Sequence, residues 1–161
     1  MIRPALPEDI PAAAALMAQA YAVHFRPILG EVALSFDTAH FAARFARDLA
    51  DLVVLDEGGV KGLLLLTDGH IAMLFAATPG GGAGAALLAF AEANGARSLE
   101  VFAENEGARR LYERAGWRIT SAYDREFAGA THRFLRYEKP APEQEKRGEP
   151  LSCKERGRGE V

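Results

Sequence analysis

The sequence predicts an α/β (α+β) fold in which helices flank a mostly antiparallel sheet. Apolar runs between residues 52 and 76 are separated by short turns containing Gly58, Gly59 and Gly69, the pattern of an antiparallel meander. The segment from Ile71 to Trp117 then reads as strand, glycine loop, helix, strand and helix. Beyond Trp117, two further apolar runs flank a turn centred on Gly129, which predicts a closing hairpin of the same sheet.

The N-terminal third is predicted to be helical. Residues 2–5 form a short apolar strand, and apolar side chains recur at helical spacing from Ile10 until Pro27, where the proline is expected to end the helix. An irregular stretch is expected between Ala22 and Phe36. Asp37 is a suitable N-cap for a second helix, whose apolar side chains are Phe41, Ala42, Phe45 and Leu49.

Composition and charge indicate one globular domain. The chain has 161 residues, of which 49% are hydrophobic and 25% charged, and its net charge of −3 gives no electrostatic reason to expect nucleic acid as a partner. We expect a folded domain over residues 1–139 and a charged, disordered tail over 140–161, where the single cysteine, Cys153, lies. No apolar run is long enough to span a membrane, so a cytoplasmic protein is expected.

The glycine loop between the predicted fourth strand, from Ile71 to Ala76, and the next helix has the composition of a phosphate site. Glycine lets a ligand approach the backbone, and a helix start offers free N–H groups and a positive dipole end. The loop is not a Walker loop, because Gly84 is followed by Ala85 and Ala86 rather than by Lys and Ser or Thr. It also fails to complete the dinucleotide pattern G-x-G-x-x-G from either Gly80 or Gly82.

The segment LEVFAENEGARRLYERAGW, which ends at Trp117, resembles a signature of the GCN5-related N-acetyltransferases (GNAT family). The family pattern N-x-x-A-x-x-L-Y-x-x-x-G-[FW] is matched by Asn105, Ala108, Leu111, Tyr112, Gly116 and Trp117. Residues 79–84 resemble the family's other signature, [QR]-x-x-G-x-[GA], with Pro79 where Gln or Arg is usual. The resemblance covers residues 1–139 and implies a GNAT-like mixed sheet, with acetyl-CoA as the cofactor.

The resemblance also implies which residues hold coenzyme A. Its pyrophosphate is expected on the loop N–H groups, from Gly80, Gly81, Gly82, Ala83, Gly84 and Ala85. Its pantetheine is expected between separated fourth and fifth strands, on the backbone of Leu74, Phe75 and Ala76. Asn105 is expected either to contact the cofactor, to cap its helix, or to do both.

Catalytic roles are implied for Tyr112, Glu100 and Asn105. Tyr112 is expected to be the acid that protonates the leaving thiolate, and Glu100, in the L-E-V strand, is a candidate base that activates the amine through water. His70 and His24 are further candidates for the base. The acceptor pocket is expected to be walled by Tyr21, His24, Arg26 and Phe36, and residues Glu31, Asp124, Glu126 and His132 lie in segments that can also line it.

These implications predict an enzyme that acetylates a primary amine of a small molecule or a protein N-terminus by direct attack, without a metal and without a covalent enzyme intermediate. A homodimer is the default expectation. One alternative is a non-catalytic GNAT-like module that binds acyl-CoA as a sensor or regulatory partner. Pro79 supports that alternative, and Tyr112 and Asn105 argue against it. A nucleotide-binding protein of another class is a second, weaker alternative.

Overall fold

The structure is a computed structural model that describes residues 1–78 and 80–140. Its centre is a seven-stranded sheet in the order β1-β2-β3-β4-β5-β7-β6, in which all neighbouring strands are antiparallel except β4 and β5. The strands are β1 (Ile2–Pro4), β2 (Leu52–Asp56), β3 (Val60–Thr67), β4 (His70–Ala76), β5 (Ser98–Phe102), β6 (Arg118–Phe127) and β7 (Ala130–Glu138). The predicted meander, closing hairpin and fold class are confirmed.

Helices cover the two faces of the sheet unequally. They are α1 (Ile10–Ala20), α2 (Arg26–Leu29), α3 (Thr38–Arg47), α4 (Ala83–Ala93) and α5 (Glu106–Arg114). Helices α4 and α5 pack with Leu99, Trp117 and Tyr137 in one core cluster, while α1 and α3 pack on the other face against β2 and β3. On that second face, α1 and α3 do not pack on β5, β7 and β6, and the segment after α1 reaches these strands through Phe25, whose ring is 5.9 Å from that of Phe102, and Phe36, which stacks on Phe127 at 5.7 Å. This less covered part, at the β5–β7–β6 end, is called the open face below.

The segment from Tyr21 to Phe36 corrects the prediction of an irregular loop. Helix α1 continues into a π-helical turn over Tyr21–Phe25, then into α2 and a 3₁₀ helix over Gly30–Ser35. Pro27 does not end the helix, because it follows the wider π turn and occupies the first turn of α2, where a backbone N–H is not needed. The helical path instead turns at Gly30, whose φ is 76°.

The start of α3 is as predicted. The Asp37 side chain accepts a hydrogen bond of 2.9 Å from the backbone N–H of His40, the arrangement of an N-cap. Phe41 and Phe45 are fully buried against α1. Leu49, predicted on the same helix, lies just beyond it in a short 3₁₀ turn.

Pro79, Cys153 and the predicted tail from residue 141 onward lie outside the described residues. Within residues 1–78 and 80–140, no helix has both the length and the apolar character needed to cross a lipid bilayer.

Candidate active site between strands β4 and β5

Strands β4 and β5 separate along most of their length. They pair only at His70 with Ser98 and at Ile71 with Leu99, and no further pairs follow toward their C-terminal ends. The separation opens a cleft of about 140 Å³. The cleft is lined by residues of α1, its π turn, β4, β5, α5 and β7: Met17, Tyr21, Phe25, Ile71, Ala72, Met73, Leu74, Phe75, Leu99, Glu100, Val101, Phe102, Asn105, Ala108, Tyr112 and Phe134.

The backbone of β4 presents alternate peptide groups to this cleft. A register shift between β3 and β4 leaves Ala72 without a partner on β3, and regular pairing resumes at Met73. The N–H of Ala77 donates to the carbonyl of Lys61 on the β3 side. Because peptide groups in an antiparallel strand alternate in direction, Phe75 shares that orientation, whereas Leu74 and Ala76 direct theirs toward β5. Of the three predicted pantetheine contacts, two therefore have backbone groups available to a ligand.

The glycine loop leads directly into α4. Gly80 and Gly82 have φ values of 79° and 85°, and a Cβ atom on either would meet nothing within 4 Å, so the approach to the loop is open. Gly82 is the N-cap, and no side chain caps the helix in the described residues. Along α4, Ala86 is the first residue whose backbone N–H has an acceptor, and that acceptor is the carbonyl of Gly82. The N–H groups of the first helical turn, from Ala83 to Ala85, are thus free to meet an anion.

Tyr112 lies on α5 and reaches the cleft from the α4/α5 side. It is 6% exposed, and its hydroxyl has no hydrogen-bond partner among the described residues. Burial, together with the nearby Tyr137, raises the pKa of Tyr112 above the usual value for a phenol. A buried, unpartnered phenol that keeps its proton is a hydrogen-bond donor available to a ligand in the cleft.

Asn105 caps the helix that carries Tyr112. Its side-chain oxygen accepts a bond of 3.3 Å from the N–H of Ala108, and the residue also lines the cleft. The capping role predicted for Asn105 is therefore present. Its role toward a cofactor stays a prediction.

Glu100 lies on β5 and faces the open side of the sheet. Its carboxylate accepts a bond of 2.5 Å from the Tyr123 hydroxyl and forms an ion pair of 2.6 Å with Arg125, both on β6. Burial alone would raise the pKa of Glu100, but the hydrogen bonds from Arg125 and Tyr123 and the positive charge of Arg125 outweigh it, so the pKa is lowered. Glu100 is thus ionised near neutral pH and is held in position from two sides.

The predicted acceptor wall is formed only in part. Tyr21 lines the cleft, and the Phe36 ring lies 4.8 Å from the Tyr21 ring, just behind it. The His24 ring is 5.8 Å from that of Phe75, although His24 is itself exposed. Arg26 is exposed, pairs with Glu31 at 2.5 Å and is not among the lining residues.

Several residues at the site were not named by the sequence analysis. Phe25, Phe102 and Phe134 line the cleft, and Tyr123 and Arg125 hold Glu100. A local signal existed for Phe25, which lies one helical turn after Tyr21. The other four depend on the register between β5, β7 and β6, which no local pattern reveals.

His70 and Arg109 have hydrogen-bond partners that do not line the cleft. His70 lies where β4 and β5 still pair, bonds the Ser98 hydroxyl at 2.9 Å, and has a pKa lowered by burial and by Arg136. Arg109 donates to the Tyr137 hydroxyl and to the Ala103 carbonyl. Among the residues described, no three His, Cys, Asp or Glu side chains are grouped so that they could hold a metal ion.

Comparison with known proteins identifies the fold. No protein-family model matches the chain, and no curated protein sequence is significantly similar to it.

Solved structures do match. A GCN5-related N-acetyltransferase from Rhodopseudomonas palustris is 25% identical with a TM-score of 0.64, covering 86% of this chain and 95% of its own. YncA from Salmonella typhimurium, solved with its cofactor acetyl-CoA, is 18% identical with a TM-score of 0.65, covering 95% and 98%. Apo-form YjaB from Escherichia coli is 19% identical with a TM-score of 0.67, covering 86% and 95%.

The matched structures share the mixed sheet with flanking helices over nearly their whole length. This architecture defines a class of acyltransferase folds. More particularly, the chain has the fold of the GCN5-related N-acetyltransferases, which confirms the resemblance seen in its sequence.

Proposed function

We propose that this protein is an N-acyltransferase that moves an acetyl group from acetyl-CoA to a primary amine by direct attack. The observation that carries the proposal is the cleft between β4 and β5, where the strands part and leave polar groups of two elements unpartnered. These groups are the peptide groups of β4 and the hydroxyl of Tyr112, and the loop that follows β4 leads to the free N–H groups at the start of α4. Buried polar groups are normally paired, so a cleft that gathers unpaired ones is suited to a polar ligand.

The residues present fit coenzyme A. The loop from Gly80 to Ala85 would hold the pyrophosphate through backbone N–H groups and the dipole of α4. The peptide groups of Leu74 and Ala76 would pair with the amides of pantetheine, as one strand pairs with another. Phe75 would contribute its side chain, which lines the cleft. When bound, acetyl-CoA supplies a thioester that an amine can attack without a covalent enzyme intermediate.

Glu100 and Tyr112 would carry out the two proton transfers of the reaction. The ionised carboxylate of Glu100 would accept, through water, the proton that the amine loses. Tyr112 would donate a hydrogen bond, and then its proton, to the sulfur that leaves; its raised pKa makes it a weaker acid than an ordinary phenol, so the transfer depends on the negative charge that develops on the sulfur. Asn105 would keep α5, and hence Tyr112, at a fixed distance from the cleft by capping the helix.

Isothermal titration of the purified protein with acetyl-CoA, desulfo-CoA and ATP tests the proposal. We expect micromolar binding of acetyl-CoA and desulfo-CoA and no comparable binding of ATP. Release of free thiol in the presence of a panel of amines then measures turnover. Tight binding without turnover on any amine would favour the acyl-CoA sensor over the enzyme, and preferential ATP binding would refute both. The homodimer and the cytoplasmic location stay predictions.

A further inference from the structure

We propose that the acceptor is a small primary amine with a single positive charge on an aromatic or apolar skeleton, and that polyamines and other polycations are poor acceptors. This inference rests on the proposed function and specifies its acceptor. It follows from two properties of the open face of the sheet beside the cleft: aromatic rings form its walls, and its carboxylate is already neutralised.

Aromatic side chains join the helical layer to the strands at this end of the cleft. The rings of Phe25 and Phe102 are 5.9 Å apart, and those of Phe36 and Phe127 are stacked at 5.7 Å with an interplanar angle of 7°. Phe102 also contacts Phe134 at 4.7 Å. These contacts bridge the two walls, so an extended chain could not pass between them without displacing rings. The space favours a small acceptor whose body packs on aromatic faces.

The size of the cleft agrees with this. Its volume of about 140 Å³ is close to that of an apolar protein cavity of about 150 Å³ that holds one benzene molecule. The cleft must also admit the acyl end of the cofactor, which leaves still less room for the acceptor. The remainder of a long or branched acceptor would therefore have to lie outside the cleft.

Charge selects against a second ammonium group. Glu100 is the single charged side chain among the lining residues of the described chain, and Arg125 holds it in a two-point ion pair, with contacts of 2.6 Å and 3.3 Å. The Arg125 guanidinium also lies 4.2 Å from the centre of the Phe134 ring, which fixes it over the open face. The cleft accommodates one ammonium group of the acceptor, because that group loses its proton to Glu100. A second ammonium group would be buried beside the positive charge of Arg125 with no unpaired carboxylate to bind it, which is costly.

The carboxylates of β6 do not provide a negative partner for a second ammonium group. Asp124 pairs with Arg133 at 2.8 Å, and strand alternation places Asp124 and Glu126 on the face of β6 opposite to Tyr123 and Arg125. The modest net negative charge of the chain is therefore no guide to its acceptor.

The test compares hexylamine, 2-phenylethylamine and 1,6-diaminohexane as acceptors. Hexylamine and 1,6-diaminohexane have the same carbon chain and differ in the second amine. We expect kcat/KM for each monoamine to exceed that for the diamine by about tenfold or more. Equal or faster acetylation of the diamine would overturn the inference while leaving the proposed function intact. Failure of acetyl-CoA to bind would instead refute the proposed function.

If none of the three is acetylated, titration of each amine into the protein saturated with coenzyme A decides the question. Tighter binding of the monoamines supports the inference, whereas equal binding, tighter diamine binding or no binding at all overturns it. A peptide with an N-terminal phenylalanine forms a further arm, and a preference for that peptide over 2-phenylethylamine would overturn the assignment to a small molecule.

Arg125→Gln sharpens the test because it exposes the charge of Glu100 to the cleft. We expect the ratio of diamine to monoamine kcat/KM to rise about tenfold in this variant. Arg125→Lys, which keeps the positive charge, should retain most of the discrimination. Arg133→Gln removes an arginine of the same hairpin that pairs on the opposite face, and should leave the ratio unchanged. An unaltered ratio in Arg125→Gln, with acetyl-CoA affinity retained, would contradict the role given to Arg125.

Discussion

Helices α4 and α5 lie against the same face of the sheet but differ in how their polar groups are satisfied. Helix α5 is capped by the side chain of Asn105, and the Tyr137 hydroxyl of β7 holds two of its side chains, donating to Glu113 at 2.6 Å and accepting from Arg109 at 3.2 Å. Helix α4 begins at Gly82 with no side-chain cap. The groups without a partner in the described chain are the Tyr112 hydroxyl, which lies at the cleft, and the first N–H groups of α4, so unmet hydrogen bonding marks the parts of the fold that can receive a ligand.

Tyr112 and Tyr137 make the same contrast within one layer. Their rings are 5.9 Å apart and both are buried, yet Tyr137 has two hydrogen-bond partners and Tyr112 has none in the described chain. A structural tyrosine and a candidate catalytic one can thus be distinguished by their partners rather than by their burial. The first three predictions below test this contrast and that between α4 and α5, and the fourth tests the ion pair at Glu100.

The largest effect is expected for Tyr112→Phe. Removing an unpartnered hydroxyl breaks no hydrogen bond of the folded protein, so stability and acetyl-CoA affinity should stay near those of the wild type. If the hydroxyl supplies a proton to the leaving sulfur, kcat should fall by about 100-fold. Steady-state kinetics, titration calorimetry and thermal unfolding measure the three quantities. A large loss of stability with unchanged kcat would reverse the assignment of the two tyrosines.

Gly82→Ala comes next and is paired with Gly58→Ala. Both glycines have positive φ, 85° and 75°, and open space around the missing Cβ, but Gly58 lies in the turn between β2 and β3. Each substitution should cost about 1 kcal/mol of unfolding free energy through backbone strain. Only Gly82→Ala should weaken acetyl-CoA binding, by about tenfold, because it disturbs the N–H groups at the start of α4. Equal binding by the two variants would mean that the glycine loop does not hold the cofactor.

Tyr137→Phe should have a smaller effect, and chiefly on stability. It leaves Glu113 and Arg109 without their shared hydroxyl, at a cost of about 1 kcal/mol. Chemical denaturation measures this loss, and kcat should change far less than in Tyr112→Phe. If kcat fell as far in Tyr137→Phe as in Tyr112→Phe, the hydrogen bonds of Tyr137 to α5 would themselves be needed for catalysis.

The smallest effect is expected in the pH dependence of stability that arises from Glu100. Its pKa is lowered in the folded state, so its contribution to stability is present above the unfolded value of about 4.3 and is lost as the pH falls through the folded pKa. Arg125→Gln removes the ion pair, which is one of the causes of the lowered pKa of Glu100. The wild type should therefore be the more stable protein near pH 7, and the difference should shrink below about pH 4. Urea unfolding from pH 3 to 7 measures it, with Glu100→Gln as the control, and a difference constant across that range would contradict the ion pair.

Most of the fold could be predicted because its signals are local. Turn glycines separate the strands of the meander, Asp37 caps α3, and the glycine loop precedes α4. The helical path through Pro27 was missed because a π turn, which no residue type specifies, makes room for the proline. Within the site, the clamp on Glu100 joins β5 to β6 across β7, so it depends on the register of a whole sheet rather than on any short motif.

The brief pairing between β4 and β5 also has a mechanical consequence. Two residue pairs join a four-stranded half-sheet to a three-stranded one, and past Ile71 and Leu99 no strand pairing links the two halves in the described residues. A ligand that lies in the cleft and contacts both β4 and β5 would take the place of the missing strand pairs and stiffen the sheet across this seam. Amide hydrogens on both sides of that seam would then exchange more slowly together, and occupancy of the cleft would be felt at the β6–β7 tip as well as at the ligand.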